Sequence, residues 1–295
     1  MNDHRSPLFC DTALAARIER AEVELVAKAS EAAGRRTANA ASFVIPIGGG
    51  VASFAEAGSP FNKVAGLGFG PAPGTTELDG IEQAFTARGA PTQIELAHLA
   101  DPGIGALLTG RGYRLVSFEN VLGRALGAEP EPIAPNGIEV RASGDDEFDR
   151  WLDVVTDGVA HPDPQGLPWH EEFPREAYRR AERDLAAAGV VRYVALRDGA
   201  FAGGASFRVA DRVAQLAGAA TAPVHRRHGV HSALLSARLA TAAAAGCDIA
   251  VITTQPGSKS QQNAQRRGFD LLYTRAVLVK QSGTRLRPAR QAPQS

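Results

Sequence analysis

The chain repeats its own closing phrase. RGYRLVSFENVL (111–122) and RGFDLLYTRAVL (267–278) share Arg-Gly, an aromatic residue, Leu, an aliphatic residue and a final Val-Leu at one spacing. Each block follows a helical pattern and then reads as a strand. Self-similarity at so long an interval predicts a duplicated domain. Between the copies lies EPEPIAPNG (129–137), whose three Pro and one Gly fit neither a helix nor a central strand. A length of 295 residues is enough for two cores. We therefore expect one domain over 1–128, a linker over 129–137, a second domain over 138–282 and a disordered tail over 283–295.

Periodicity and turn residues give the second half an order of elements. A strand covers 138–143, helices cover 146–159 and 171–189, and Gly189 stops the second helix. Two strands, 190–199 and 200–210, meet at Asp-Gly, a hairpin signal. A strand over 213–221, a helix to about 245, a strand over 248–254, a helix over 258–268 and a last strand complete it. The first half has a long Ala-rich helix over 11–33 and strands near 42–47, 51–57 and 63–69. A helix over 75–89, a strand over 92–99, a short helix and a strand over 113–122 follow. The fold class is α/β (α+β): two domains, each a mixed, mostly antiparallel sheet flanked by helices. GLGFG (66–70) lacks the third Gly of a dinucleotide fingerprint, and Pro71 and Pro73 interrupt any helix start, so it reads as a small-residue strand.

Charge narrows the partners. With 32 basic and 32 acidic side chains the formal net charge is zero. Nucleic-acid binders draw their affinity from neutralising phosphate, so a nucleic-acid partner is not expected. Cys10 and Cys247 are too few for a disulfide framework or a zinc cluster, and no metal is expected. MNDHRSPLFC has no apolar run for a signal peptide, and no segment is long and apolar enough for a bilayer span. A cytoplasmic location and no membrane partner are the expectation.

APVHRRHGVHSALL (222–235) gathers two Arg and three His around one Gly and runs into an apolar helix. A helix start leaves backbone N–H groups without partners and carries partial positive charge, which suits a diphosphate. Gly229 lets the backbone approach such a ligand, and Arg226 and Arg227 add charge. Val230, Leu234, Leu235, Ala237, Leu239 and Ala242 give the helix a buried face. This loop resembles the acyl-CoA pyrophosphate loop of the GNAT superfamily of N-acyltransferases, whose pattern is Arg/Gln-x-x-Gly-x-Gly/Ala after the fourth strand. Pro223, Arg226 and Gly229 match it, and His231 stands where a small residue is expected. The element order over 138–280 and the Arg-Gly-Phe at 267–269 are also similar to that family.

The resemblance implies a tandem GNAT-like protein. Backbone N–H groups over Arg227, His228, Gly229, Val230, His231 and Ser232 would hold the pyrophosphate of acetyl-CoA or a related acyl-CoA. Ala219 to Thr221 would pair with the pantetheine arm, and Asn263 or Ser260 would bond to it or cap the helix surface. His231 would turn outward or add a phosphate contact when protonated. The acyl group would pass to an amine of a small molecule or peptide in a direct ternary complex. Counting from the strands sets Asp79 opposite Gly229, so Glu77, Asp79 and Glu82 would repel a pyrophosphate, and the first half reads as a degenerate copy. The family's usual acid, a Tyr on the last helix, is replaced by Ala264; Tyr273 is a possible substitute. His161, Asp163, His170, Glu171 and Glu172 are candidate bases, and no catalytic residue is assigned. A CoA-binding or scaffold module without turnover and a nucleotide-binding domain are the alternatives. Oligomeric state is not read from the sequence.

Overall fold

The computed structural model describes residues 6–37, 41–127, 135–161 and 173–282. The first half runs α1 (Thr12–Thr37), β1 (Phe43–Ile47), β2 (Gly50–Phe54), β3 (Lys63–Ala65), α2 (Thr75–Thr86), β4 (Thr92–Ala97), α3 (Pro102–Gly110) and β5 (Arg114–Ala125). The second runs β6 (Ile138–Ala142), α4 (Phe148–Ala160), α5 (Arg175–Ala187), β7 (Val191–Arg197), β8 (Ala200–Ala210) and β9 (Val213–Thr221). It closes with α6 (Val230–Ala244), β10 (Ile249–Thr254), α7 (Lys259–Arg266) and β11 (Asp270–Lys280). The architecture is mixed α/β with a mostly antiparallel sheet, as the pattern implies. The Asp-Gly hairpin forms with both residues at positive φ, 52° at Asp198 and 78° at Gly199.

Two expectations need correction. The helix read over 171–189 begins at Arg175, because Pro174 sits at its N-cap; Glu171 and Glu172 lie outside the described residues. GLGFG is not a strand. Gly66 and Gly68 take φ of 78° and 90°, β3 stops at Ala65, and the turn packs closely enough that Asp101 N–H donates to the Gly68 carbonyl at 3.0 Å.

All the strands among the described residues join one 11-stranded sheet in the order β1-β2-β3-β4-β11-β5-β10-β9-β8-β7-β6. The two halves repeat one plan: an antiparallel meander, a helix, a strand parallel to the last meander strand, a second helix and a closing strand. The closing strands are exchanged. β11 lies between β4 and β5, antiparallel to both, and β5 lies between β11 and β10. The repeated blocks that betray the duplication are therefore each other's neighbours.

Helix α1 crosses the join. Arg17 forms a two-pronged pair with Asp248 at 2.8 and 2.9 Å, and Arg36 does the same with Asp184 on α5. Beneath α1 the exchanged strands bury a charged cluster. Arg275 on β11 is 2% exposed, bonds Glu19 at 2.8 Å and stands 3.8 Å from Glu95 and from Glu119. Lys63 on β3 bonds Glu95 at 2.8 Å. Two cations here face Glu19, Glu22, Glu95 and Glu119. Burial, then the nearby Glu95 charge, pushes the Glu119 carboxyl up to about 7, against the pull of Lys63 and Arg275.

The fold thus holds a proton on Glu119 that the unfolded chain releases from about pH 4.5 upward, so stability falls as pH rises from there to about 7. Glu119→Gln removes that loss. We expect its thermal midpoint to lie about 4 °C or more above the parent at pH 8 and to coincide with it below pH 5, in melts followed by circular dichroism.

Candidate functional site

The site begins where two parallel strands part. β9 and β10 pair only from Val213–Ile249 to Gln215–Val251, and beyond that point they diverge. A bulge drives the opening: Ala205 faces Ala219 and Ser206 faces Ala217, which leaves Gly218 as an extra residue with φ of 38°. The cleft that results, about 90 Å³, is bounded by Leu216, Ala219, His231, Arg238, Ile252 and Ser260. One face of the sheet carries α6 and α7, whose Leu234 and Ala264 share a core with β7–β10. The other carries α4 and α5, with Trp151 of α4 bonded to the Tyr193 carbonyl at 2.8 Å.

Helix α6 opens at the wide end of the cleft. Its N-cap is Gly229, in the left-handed region at φ 86° and ψ 3°, and no side chain caps it. The first ladder bond runs from Ala233 N–H to the Gly229 carbonyl at 2.9 Å, so the amides of Val230, His231 and Ser232 precede the ladder. Arg227 and His228 are exposed, and Arg227 takes φ of 65°. A Cβ at Gly229 would stand 2.7 Å from Cγ of Pro135, so the end of the linker segment rests against the cap.

Three residues differ from their sequence reading. Arg226 does not present its guanidinium to a ligand. It donates to the Gly158 carbonyl at 3.2 Å, to the His161 carbonyl and to the Thr221 carbonyl at 3.4 Å, tying the end of α4 to the helix start. His231 does not turn outward. It lines the cleft, where burial and then the charges of Arg238 and Arg267 lower its pKa to about 4, so the ring is neutral at pH 7 and adds no cation to a phosphate. Tyr273 is 1% exposed and donates to Glu19 at 2.7 Å in the cluster beneath α1, away from the cleft.

Asn263 is half-buried on α7, and Ala264 is 2% exposed, packed in the core. Thr221 is half-buried at the end of β9. Among the candidate bases, His161 is exposed and its Nδ1 lies 2.9 Å from the Asp157 carbonyl. Asp163, His170, Glu171 and Glu172 lie outside the described residues.

In the first half the helix start is arranged otherwise. The caps place Gly74, not Asp79, opposite Gly229, and the Glu77 carboxylate turns back to accept from Gly74 N–H at 2.7 Å. Asp79 and Glu82 are paired with Arg111. Gly74 supplies no side-chain cap either, and the ladder there begins at Leu78 N–H; the difference from α6 is the Glu77 carboxylate in the first turn.

Two buried charged groups at the cleft were missed by the sequence reading. Glu182 on α5 is 5% exposed, and its Oε1 would lie 3.8 Å from a Cβ at the Gly218 bulge, with the Tyr178 hydroxyl at 3.9 Å. Burial pushes the Glu182 carboxyl up to about 7, held back by Tyr178 and by the Arg192 charge. Burial and the neighbouring Glu182 drive the Tyr178 phenol well above its ordinary value. Arg238 on α6 is 1% exposed. Both sit on apolar stripes, Glu182 beside Ala177 and Ala181, Arg238 between Leu234 and Leu239. A charge at i+4 on a buried face was the available signal.

A parted pair of parallel strands, a helix start with no side-chain cap at the mouth and a buried carboxylate at the bulge define the cleft. Residues 160–269 match the family model described as Acetyltransferase (GNAT) family, so the second half of the chain carries a GNAT domain. Among solved structures the chain is similar to a GCN5-related N-acetyltransferase from Kribbella flavida, at 21% identity and a TM-score of 0.64, covering 90% of this chain and 95% of that one. It is similar to a tandem GNAT protein from the clavulanic acid biosynthesis pathway, solved without AcCoA, at 15% identity and a TM-score of 0.59, covering 92% and 94%. It is also similar to a GCN5-related N-acetyltransferase from Sphaerobacter thermophilus, at 16% identity and a TM-score of 0.55, covering 94% and 95%. These likenesses establish the fold of both halves. No curated protein sequence matches the chain. No helix among the described residues is long and apolar enough to cross a membrane.

The role of Arg226 as a tie is open to test. Arg226→Gln should lower the thermal midpoint by about 2–4 °C, as loss of about 1 kcal/mol does in a chain of this size. The midpoint is read by differential scanning calorimetry; an unchanged midpoint would show that the carbonyl contacts are idle.

Proposed function

We propose that the chain is an acyl-CoA-dependent N-acyltransferase whose single donor site lies in the second half. The carrying observation is the uncapped start of α6 at the wide end of the β9–β10 cleft. The amides of Val230, His231 and Ser232 hold the pyrophosphate, and Gly229 lets it approach. Arg227 adds an exposed positive group and His228 an exposed imidazole, while Arg226 stiffens the loop rather than touching the ligand. Ala219 and Thr221, on the part of β9 that β10 leaves unpaired, offer backbone groups to the pantetheine arm. The Glu77 carboxylate in the first turn of α2, which would repel a pyrophosphate, supports a structural role for the first half.

The acceptor amine enters from the α4–α5 face. The transfer breaks the thioester C–S bond and forms an amide C–N bond, with both substrates held together and no covalent enzyme intermediate. A lysine-like amine has a pKa near 10.4 in water and must lose a proton to attack. Glu182 accepts it: a carboxyl at about 7 is matched to that task, directly or through one water. A backbone N–H of β9 at the bulge stabilises the oxyanion. With Ala264 at the usual acid position, the leaving thiolate takes its proton from water.

Two measurements test the reading. In titration calorimetry acetyl-CoA should bind the parent, and Gly229→Asp, which forces a side chain into the left-handed region against Pro135 and sets a negative charge at the amides, should weaken it about 100-fold or more. ATP bound in preference to CoA would overturn the proposal. In a thiol-release assay over a panel of amines, Glu182→Gln should lower kcat by about 10²–10⁴ and abolish the rise in rate through pH 7, with acetyl-CoA affinity retained. Binding without thiol release on any amine would favour a non-catalytic CoA-binding module.

A further inference from the structure

At the narrow end of the same cleft lies a cation with no anion. The Arg238 guanidinium, 1% exposed, donates from Nε to the Leu234 carbonyl at 3.2 Å and from Nη1 to the Ser206 carbonyl at 2.9 Å. Nη2 has no partner, and no carboxylate among the described residues pairs with the group. Burial brings its pKa down to about 10. A buried charge is normally paired, and an orphaned guanidinium donor is costly to keep. The side chain lines the cleft together with Leu216, Ile252 and His231. His231 is neutral, so it offers a ring N–H or lone pair and does not compete for an anion.

Position says which substrate would bring the anion. Arg238 lies about 13 Å along α6 from the Gly229 cap. Leu216, at the fork where β9 and β10 begin to part, lies about 16 Å along β9 from Thr221. An arm held at the helix start and laid along β9 therefore delivers its far end beside Arg238. The guanidinium stands on the α6–α7 face with the helix start, whereas Glu182 and the acceptor's route lie on the α4–α5 face. The missing anion belongs on the donor.

We infer that the donor's acyl chain ends in a carboxylate, which Arg238 binds through Nη2 at the closed end of the β9–β10 cleft. This rests on the reading that α6 binds an acyl-CoA. The donor is a short dicarboxylic acyl thioester, and the amide product carries a free carboxylate in place of the amine's charge. Arg238 sets specificity; it does not take part in proton transfer.

The test is titration calorimetry of the full chain with succinyl-CoA, butyryl-CoA and free CoA. The parent should bind succinyl-CoA at least tenfold more tightly than butyryl-CoA, a difference of about 1.4 kcal/mol. In Arg238→Met, of similar length and no charge, the ratio should fall to within twofold. A ratio near one in the parent, with free CoA still bound, overturns the carboxylate inference and leaves the proposed function standing. A tenfold ratio that survives in Arg238→Met removes Arg238 as its cause and overturns the assignment. If none of the three binds, the α6 reading falls and takes this inference with it. Should Arg238→Met fail to fold, Arg238→Gln takes its place with the same expected fall in the ratio and the same overturning result.

Discussion

The exchange of closing strands between the halves sets everything else. β11 fills the gap between β4 and β5, and β5 fills the gap between β11 and β10, so neither half has a complete sheet without the other. That geometry turns two repeats into one continuous sheet, with α1 fastened across the join by Arg17–Asp248 and Arg36–Asp184. It also buries charge at the join. Arg275 arrives on the exchanged strand and balances carboxylates contributed by α1, β4 and β5. Such a cluster selects register more than it adds stability: a one-residue slip of β11 would turn Arg275 to the opposite face and strand the acids.

Within that frame the two halves spend the same architecture differently. Both have a helix that starts beside a pair of parallel strands. In the first half the Glu77 carboxylate stands in the first turn and accepts from Gly74 N–H, and Arg111 pairs with Asp79 and Glu82 behind it, so negative charge already occupies the helix start. In the second half no side chain caps the helix, and the bulge at Gly218 widens the cleft it faces. Duplication has left one copy with an acid at its helix start and one without, and the second copy has buried groups of both signs, Glu182 on one face and Arg238 on the other.

Much of this was legible in the sequence. The repeated closing blocks disclosed the duplication, the Asp-Gly hairpin and the strand over 213–221 appear where the pattern put them, and the turn chemistry around Gly229 located the helix start. What was not legible was tertiary. The exchange leaves no mark on sequence, because equivalent strands are interchangeable by construction. The alignment of the halves went astray by five residues because strand counting ignores loop length; the caps, Gly74 and Gly229, were the better landmarks. Arg226 was read as a ligand group because its reach to the Gly158 carbonyl depends on where α4 ends. Glu182 and Arg238 each interrupt an apolar stripe, a signal fainter than the conspicuous charges of the loops.

The exchanged strand has a consequence for how the molecule comes into being. A ribosome releases β4 and β5 long before residues 270–280, so during synthesis the edge that β11 will occupy stands bare and the acids under α1 lack Arg275. The sheet of the first half therefore gains β11 only after residues 270–280 have emerged, so its completion waits on the synthesis of the second half.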